Sequence, residues 1–262
     1  MKKTFFTLIM ALGLSAGTMS AQKLFVRAGL GYAFPSGSQI IGFNSKDPNL
    51  GYATNGSFGT GLNGELGIGY MLNKNIGLGL DISYLIGKKN LSKDDRGNDK
   101  EQTEVSGSAL AFTPNIVLST AMEGKIVPYA KAGLVIASAS VTSVRTGTVG
   151  KIFVEEGKIS GGIAFGFKGA MGVNFAVNEK IAIYGELAYT GMSYRPEKAT
   201  LTKSTKNGID VLPGLDVEDK ETIFSAEVDN TAASPSTSPS KAITPVLPFS
   251  SLGLNFGIMI NL

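Results

Sequence analysis

The chain of 262 residues contains no cysteine, no histidine and no tryptophan. Without cysteine there is no disulfide and no thiol for an N-terminal lipid anchor. Without histidine there is no Ser/His dyad, no imidazole base and no His-bearing metal site. No catalytic, cofactor-binding or metal-binding residue is therefore assigned, and no cofactor is expected. Neither sign of charge is in large excess, with 24 basic and 21 acidic residues. That balance gives no reason to expect a nucleic-acid partner. Beyond residue 22 the chain also lacks the run of about 20 apolar residues that a membrane-spanning helix needs.

The start, MKKTFFTLIMALGLSAGTMSA, has a basic end, an apolar centre from Phe5 to Leu14 and a small-residue region from Ala16 to Ala21. This is the layout of a secretory signal, expected over 1–21, with the folded part over 22–262. Removing it takes away Lys2 and Lys3 and leaves 22 basic against 21 acidic residues.

Glycine is abundant, at 34 residues, and the apolar residues keep a period of two. In NGELGIGYMLNKNIGLGLDISYLIG (63–87), Leu66, Ile68, Tyr70 and Leu72 share one face and Glu65, Gly67 and Gly69 the other. After the NKN break, Ile76, Leu78, Leu80, Ile82, Tyr84 and Ile86 oppose Gly77, Gly79, Asp81 and Ser83. Such alternation marks strands, and Asn suits a tight turn. The pattern recurs near 24–34, 110–118, 129–136, 165–177, 181–190 and 252–262, giving eight strands. The connections alternate too. NKN (73–75), AMEGKI (121–126) and NEK (178–180) are short, whereas 35–57, 87–104, 138–160 and 192–248 are long and polar. Short turns at one end and long loops at the other predict an all-β fold, an eight-stranded antiparallel up-and-down transmembrane barrel. The turns are then periplasmic and the loops extracellular. Ten strands remain open if KATLTK (198–203) and ETIFSAEV (221–228) add a hairpin.

Volume decides which face points outward. An eight-stranded barrel has an interior only just wide enough for side chains. The large apolar columns do not fit there, and the Gly, Ala, Ser and Asn columns do, so the apolar face meets lipid. Tyr70 and Phe175 near the short turns, and Tyr32, Phe34, Tyr84 and Tyr189 near the long loops, then form aromatic girdles. Parity sends six charges inward: Arg27, Glu65, Asp81, Lys131, Lys168 and Glu186. Three are positive and three negative, as expected of groups that neutralise one another in a narrow space. They either fill the lumen as a polar plug or line a gated path for ions or small solutes. The three acids are read as ion-pair partners and not as paired acid/base groups.

VPYAKAGL (127–134), YGELAYTG (184–191) and SLGLNFGIMINL (251–262) are similar to strands of small OmpA- and OmpX-type outer-membrane barrels, the outer membrane protein beta-barrel domain group. The resemblance implies that Phe256, Ile258, Ile260 and Leu262 form the terminal signal read by the barrel-insertion machinery. Leu262 replaces the usual terminal aromatic. It also implies a Gram-negative cell outer membrane as the location and a non-enzymatic scaffold whose loops serve envelope integrity, adhesion or host interaction. A narrow porin-like channel is the alternative. The expected partners are outer-membrane lipid, the insertion machinery and an extracellular ligand or host surface, with the protein itself a monomer.

Overall fold

A sheet with a free edge leaves backbone N–H and C=O groups unpaired, which hydrocarbon does not tolerate, so a strand-built membrane span has to close on itself. The computed structural model describes residues 24–37, 39–47, 50–96, 99–120, 124–148, 152–228 and 236–262. The signal expected over 1–21 lies outside them. Eight strands form the wall: β1 (Leu24–Pro35), β2 (Gly61–Met71), β3 (Ile76–Gly87), β4 (Asp99–Ser119), β5 (Ile126–Gly147), β6 (Ala164–Ala176), β7 (Ile181–Tyr194) and β8 (Ser251–Asn261). Each pairs antiparallel with the next. β8 pairs back onto β1, from Phe25 opposite Asn261 to Pro35 opposite Ser251.

The wall closes with a stagger. Stepping between paired residues from Phe25 passes through Gly69, Gly79, Asn115, Gly133, Lys168, Thr190 and Ser251. The path returns to β1 at Pro35, ten residues farther along. A stagger of this kind tilts the strands by about 35–45° and fixes a narrow interior. The predicted parity holds on every strand. On β1, Phe25, Arg27 and Ala33 are buried while Leu30 and Phe34 are exposed. On β6, Phe165, Phe167 and Met171 are exposed and Ala170 and Asn174 buried.

The two turns that lie wholly within the described residues use one device. The Asn73 side-chain oxygen accepts from the backbone N–H groups of Asn75 and Ile76, both at 2.8 Å. Asn178 does the same for Lys180 at 2.9 Å and Ile181 at 2.8 Å. Part of the third short connection, 121–123, lies outside the described residues.

The four long connections are not plain loops. β4 and β5 run for 21 and 22 residues, so that much of 87–104 and 138–160 is strand. Asn90–Arg96 pairs with β4 and Phe153–Ser160 with β5. Within 35–57, Gln39–Asp47 and Leu50–Gly56 form a hairpin. Within 192–248, Lys198–Lys206 pairs with Phe153–Ser160 and with Glu221–Ser225, and Ser240–Ile243 lies parallel beside the latter. These strands raise a crown above the loop end. The two segments that could have made a ten-stranded barrel do pair with each other, but in the crown, and the wall stays at eight. The crown strands mix polar residues with exposed apolar ones such as Ile40, Ile223 and Ile243, so their alternation carries little contrast in hydropathy.

Gly257 shows how tightly the seam is drawn. A Cβ there would come within 2.1 Å of the Ala28 carbonyl oxygen on β1 and 2.7 Å of the Tyr184 ring. Gly257→Val is expected to cost about 1–3 kcal/mol of stability. Urea unfolding of the refolded barrel, followed by far-ultraviolet circular dichroism, measures it.

Candidate functional site: a charge layer sealed inside the lumen

Because side chains alternate across each strand, every second residue of eight strands converges on the lumen. All six inward charges of the sequence reading meet there, from six different strands. Lys131 on β5 stands at the centre. Its ammonium lies 2.9 Å from Asp81, 3.0 Å from Glu186 and 3.2 Å from Glu65. Glu65 also pairs with Lys168 through its second oxygen. Arg27 lies 3.2 Å from Glu186. Five of the six are buried, with Glu186 only 1% exposed, and the Lys168 side chain is 10% exposed. Three cations and three carboxylates make the layer neutral. In a space this dry each charge depends on its partners, since burying one alone costs several kcal/mol.

Three neutral side chains complete the layer. Parity pointed them inward but gave them no part. Tyr129 accepts a hydrogen bond from Arg27 and donates one to Glu186 at 2.9 Å. The Tyr184 ring lies under the Arg27 guanidinium, 3.9 Å from its carbon. Asn115 donates to Asp81 at 3.1 Å. Glycine makes the room: a Cβ on Gly29 would sit 2.1 Å from the Tyr184 hydroxyl, and one on Gly67 would sit 2.3 Å from Asp81. Arg27 Nε, Glu186 Oε1 and the Tyr184 hydroxyl find no partner among the described residues. The network therefore holds its charges against one another without satisfying every polar atom.

Apolar residues close both sides of this layer. Toward the short turns, Phe25, Met71, Val117, Ala182 and Met259 pack together across the lumen. Toward the crown, Val135, Met192 and Tyr194 from the wall meet Phe58 and Phe249. These two phenylalanines come from the ends of the first and last long connections, next to the stretches read as loops. Their segments fasten to each other and to the wall. The Phe58 N–H donates to the Pro248 carbonyl at 2.8 Å, and the Phe249 N–H donates to the Met192 carbonyl at 3.0 Å. Phe249 packs against Phe58 with ring centres 6.0 Å apart and edge-on to Tyr194 at 5.8 Å. Between this seal and Lys168 remains a cavity of about 60 Å³, lined by Ser83, Thr113, Thr190 and Asn255 among others. It has room for a few water molecules and no more. Sequence reasoning missed the upper seal because Phe58 and Phe249 belong to no alternating run; a large aromatic at the mouth of a loop was the available signal.

The remaining sequence-predicted residues lie on the outer face. Phe34, Tyr84, Phe175 and Tyr189 are exposed, and Tyr32 and Tyr70 partly so. Tyr32 meets Phe34 edge-on at 5.0 Å, and Tyr189 lies 5.7 Å from Phe167. Phe256, Ile258 and Leu262 are exposed on or at the end of β8, with Ile260 partly covered. Among the described residues no group of His, Cys, Asp and Glu is arranged to hold a metal ion.

Glu65→Ala leaves the ammonium groups of Lys131 and Lys168 short of a counter-charge. It is expected to lower the unfolding free energy by about 3–5 kcal/mol. Loss of heat-modifiable mobility at a lower temperature, together with urea unfolding, checks this.

Among solved structures, the chain is 13% identical to a Neisserial surface protein A (NspA), covering 92% of this chain and 99% of that one with a TM-score of 0.43. It is 12% identical to a major outer membrane protein from Thermus thermophilus, covering 92% and 100% with a TM-score of 0.47. No curated protein matches it significantly. The family model described as the outer membrane protein beta-barrel domain matches residues 6–228. The chain thus belongs to the outer membrane protein beta-barrel domain family, as an eight-stranded antiparallel barrel of the outer membrane.

Proposed function

We propose that the protein is a non-enzymatic scaffold of the outer membrane: a barrel closed to solutes that carries an extracellular crown for contact with its surroundings. The observation that carries this reading is the neutral charge layer with an apolar seal on either side. An ion crossing the lumen would have to break the Lys131 cluster and pass both the Phe25–Met71 and the Phe58–Phe249 packing. Each is costly in a low dielectric. A narrow porin-like channel would instead leave a wet path beside the charges, and the cavity above Lys168 reaches only about 60 Å³.

The absence of histidine supports a role without catalysis, because it removes every Ser/His and Asp/His arrangement and every His-bearing metal site. The rest of the design serves presentation. Crown strands paired to the rigid wall hold the surface that a ligand or a host cell would meet, and segments on a rigid scaffold commonly carry recognition. Envelope integrity, adhesion and host interaction are the roles that fit. The apolar column Phe256, Ile258, Ile260 and Leu262 is the part offered to the insertion machinery, and one closed wall needs no second copy. Refolded protein in planar bilayers is expected to be electrically silent while keeping its heat-modifiable mobility. Steady single-channel openings altered by Lys131→Ala or Glu186→Ala would assign it to the channel class instead.

A further inference from the structure

The two seals of the lumen are built differently. In the lower one, Phe25, Met71, Val117, Ala182 and Met259 all stand on wall strands held by long ladders. In the upper one, Phe58 and Phe249 stand on short segments between the crown and the wall. Ser57 and Phe58 follow directly on Leu50–Gly56, and Phe249 follows Ser240–Ile243 after 244–248. Few bonds hold these segments. The Phe58 N–H and the Ser57 hydroxyl both donate to the Pro248 carbonyl, at 2.8 and 3.2 Å. Leu247 and Pro248 pair with the wall at Tyr194 and Ser193. Pro245 and Pro248 carry no N–H, so this segment cannot be drawn into a longer ladder.

The two segments touch each other and the wall through glycine. A Cβ on Gly59 would lie 2.1 Å from the Phe249 carbonyl oxygen, and one on Gly107 of β4 would lie 2.7 Å from the Phe58 carbonyl oxygen. Backbone therefore rests on backbone, and at these two contacts no side chain interlocks. The cavity above Lys168 is lined by Gly59 and Phe249 themselves, so the pair forms its roof. The crown to which the segments lead is open where the wall is closed. From Leu50–Gly56 its pairing runs through Gln39–Asp47, Asn90–Arg96, β4, β5, Phe153–Ser160, Lys198–Lys206 and Glu221–Ser225 to Ser240–Ile243. Among the described residues no ladder joins the first of these strands to the last. Each roof segment thus continues one end strand of an open sheet. Such ends can spread without breaking a ladder, whereas a closed wall cannot.

We propose that 57–59 and 247–249 form a releasable strap. Spreading the end strands of the crown draws Phe58 and Phe249 off the lumen and joins the cavity above Lys168 to the crown. The charge layer and the Phe25–Met71 packing stay in place, since both are carried by wall strands. With nothing spreading the crown the strap stays shut, because release uncovers two aromatic side chains that are 6% and 1% exposed. A partner seated between the end strands is thereby coupled to the upper chamber through two short backbone links. The inference rests on the closed lumen of the scaffold reading, and the two fail separately. Conductance of the unaltered barrel decides that reading, and the ratio between variants decides the strap.

The test uses Thr190→Cys, which places a thiol in the cavity of a chain with no cysteine of its own. Its modification by a membrane-impermeant, charged thiol reagent is followed in the refolded barrel, alone and combined with Gly59→Val or Gly257→Val. A Cβ at either glycine would meet a backbone oxygen at 2.1 Å, in the strap for Gly59 and in the wall for Gly257. Strain in the strap is relieved by opening it, so Gly59→Val is expected to raise the rate at least about tenfold. Gly257→Val is expected to leave the rate unchanged, and planar bilayers containing Gly59→Val are expected to stay silent. Phe249→Ala, which removes the roof without backbone strain, serves if Gly59→Val does not fold and is expected to act in the same way. Heat-modifiable mobility verifies folding. An unchanged rate in the folded strap variant, an equal rise in Gly257→Val, or steady channel openings with the strap variant would each overturn the assignment.

Discussion

An eight-stranded wall leaves too little room for a water-filled bore, so whatever points inward must fill the space and balance its own charge. The stagger that returns Phe25 to Pro35 fixes that width, and the hydrocarbon outside forbids relieving it by opening an edge. Glycine follows from the same limit. Gly29, Gly67 and Gly257 are placed where a Cβ would strike Tyr184, Asp81 or the neighbouring strand. The large apolar residues go outward because they fit nowhere else.

Within that width the lumen is layered. Phe25 and Met71 close the short-turn end, six charges neutralise one another in the middle, and Phe58 and Phe249 close the crown end. The apolar layers and the charge layer depend on each other. Exclusion of water strengthens the attraction of Lys131 for its three acids, and it also makes loss of any one acid expensive. The upper seal is made partly of side chains from the first and last connections. The crown is thereby tied to the barrel it stands on, through the backbone contacts of Phe58 with Pro248 and of Phe249 with Met192.

Much of the wall was legible in the sequence because lipid outside and a crowded lumen inside impose opposite chemistry on alternate residues. Glu65 and Asp81 in otherwise apolar runs were assigned inward by parity alone, and both lie in the charge layer. Parity gives direction without depth, so it could not say that Lys131 would take three acids at once, or that Tyr129 and Asn115 would join them. The crown was read as loop for a related reason. Strands such as Asn90–Arg96 and Lys198–Lys206 have water or other polar strands on their faces, and their pairing partners are set by the tilt of the barrel beneath. Phe58 and Phe249 meet across most of the length of the chain, a relation that no local period encodes.

The closed lumen can be probed directly because the chain has no native cysteine. Ser83 lines the cavity between the charge layer and the upper seal, so Ser83→Cys places a single thiol inside the closed space. Its rate of modification by a membrane-impermeant, charged thiol reagent is the measurement. A closed lumen predicts negligible reaction in the folded barrel and full reaction after unfolding in urea. Modification of the folded barrel at the rate of an exposed crown cysteine, such as Thr202→Cys, would contradict it.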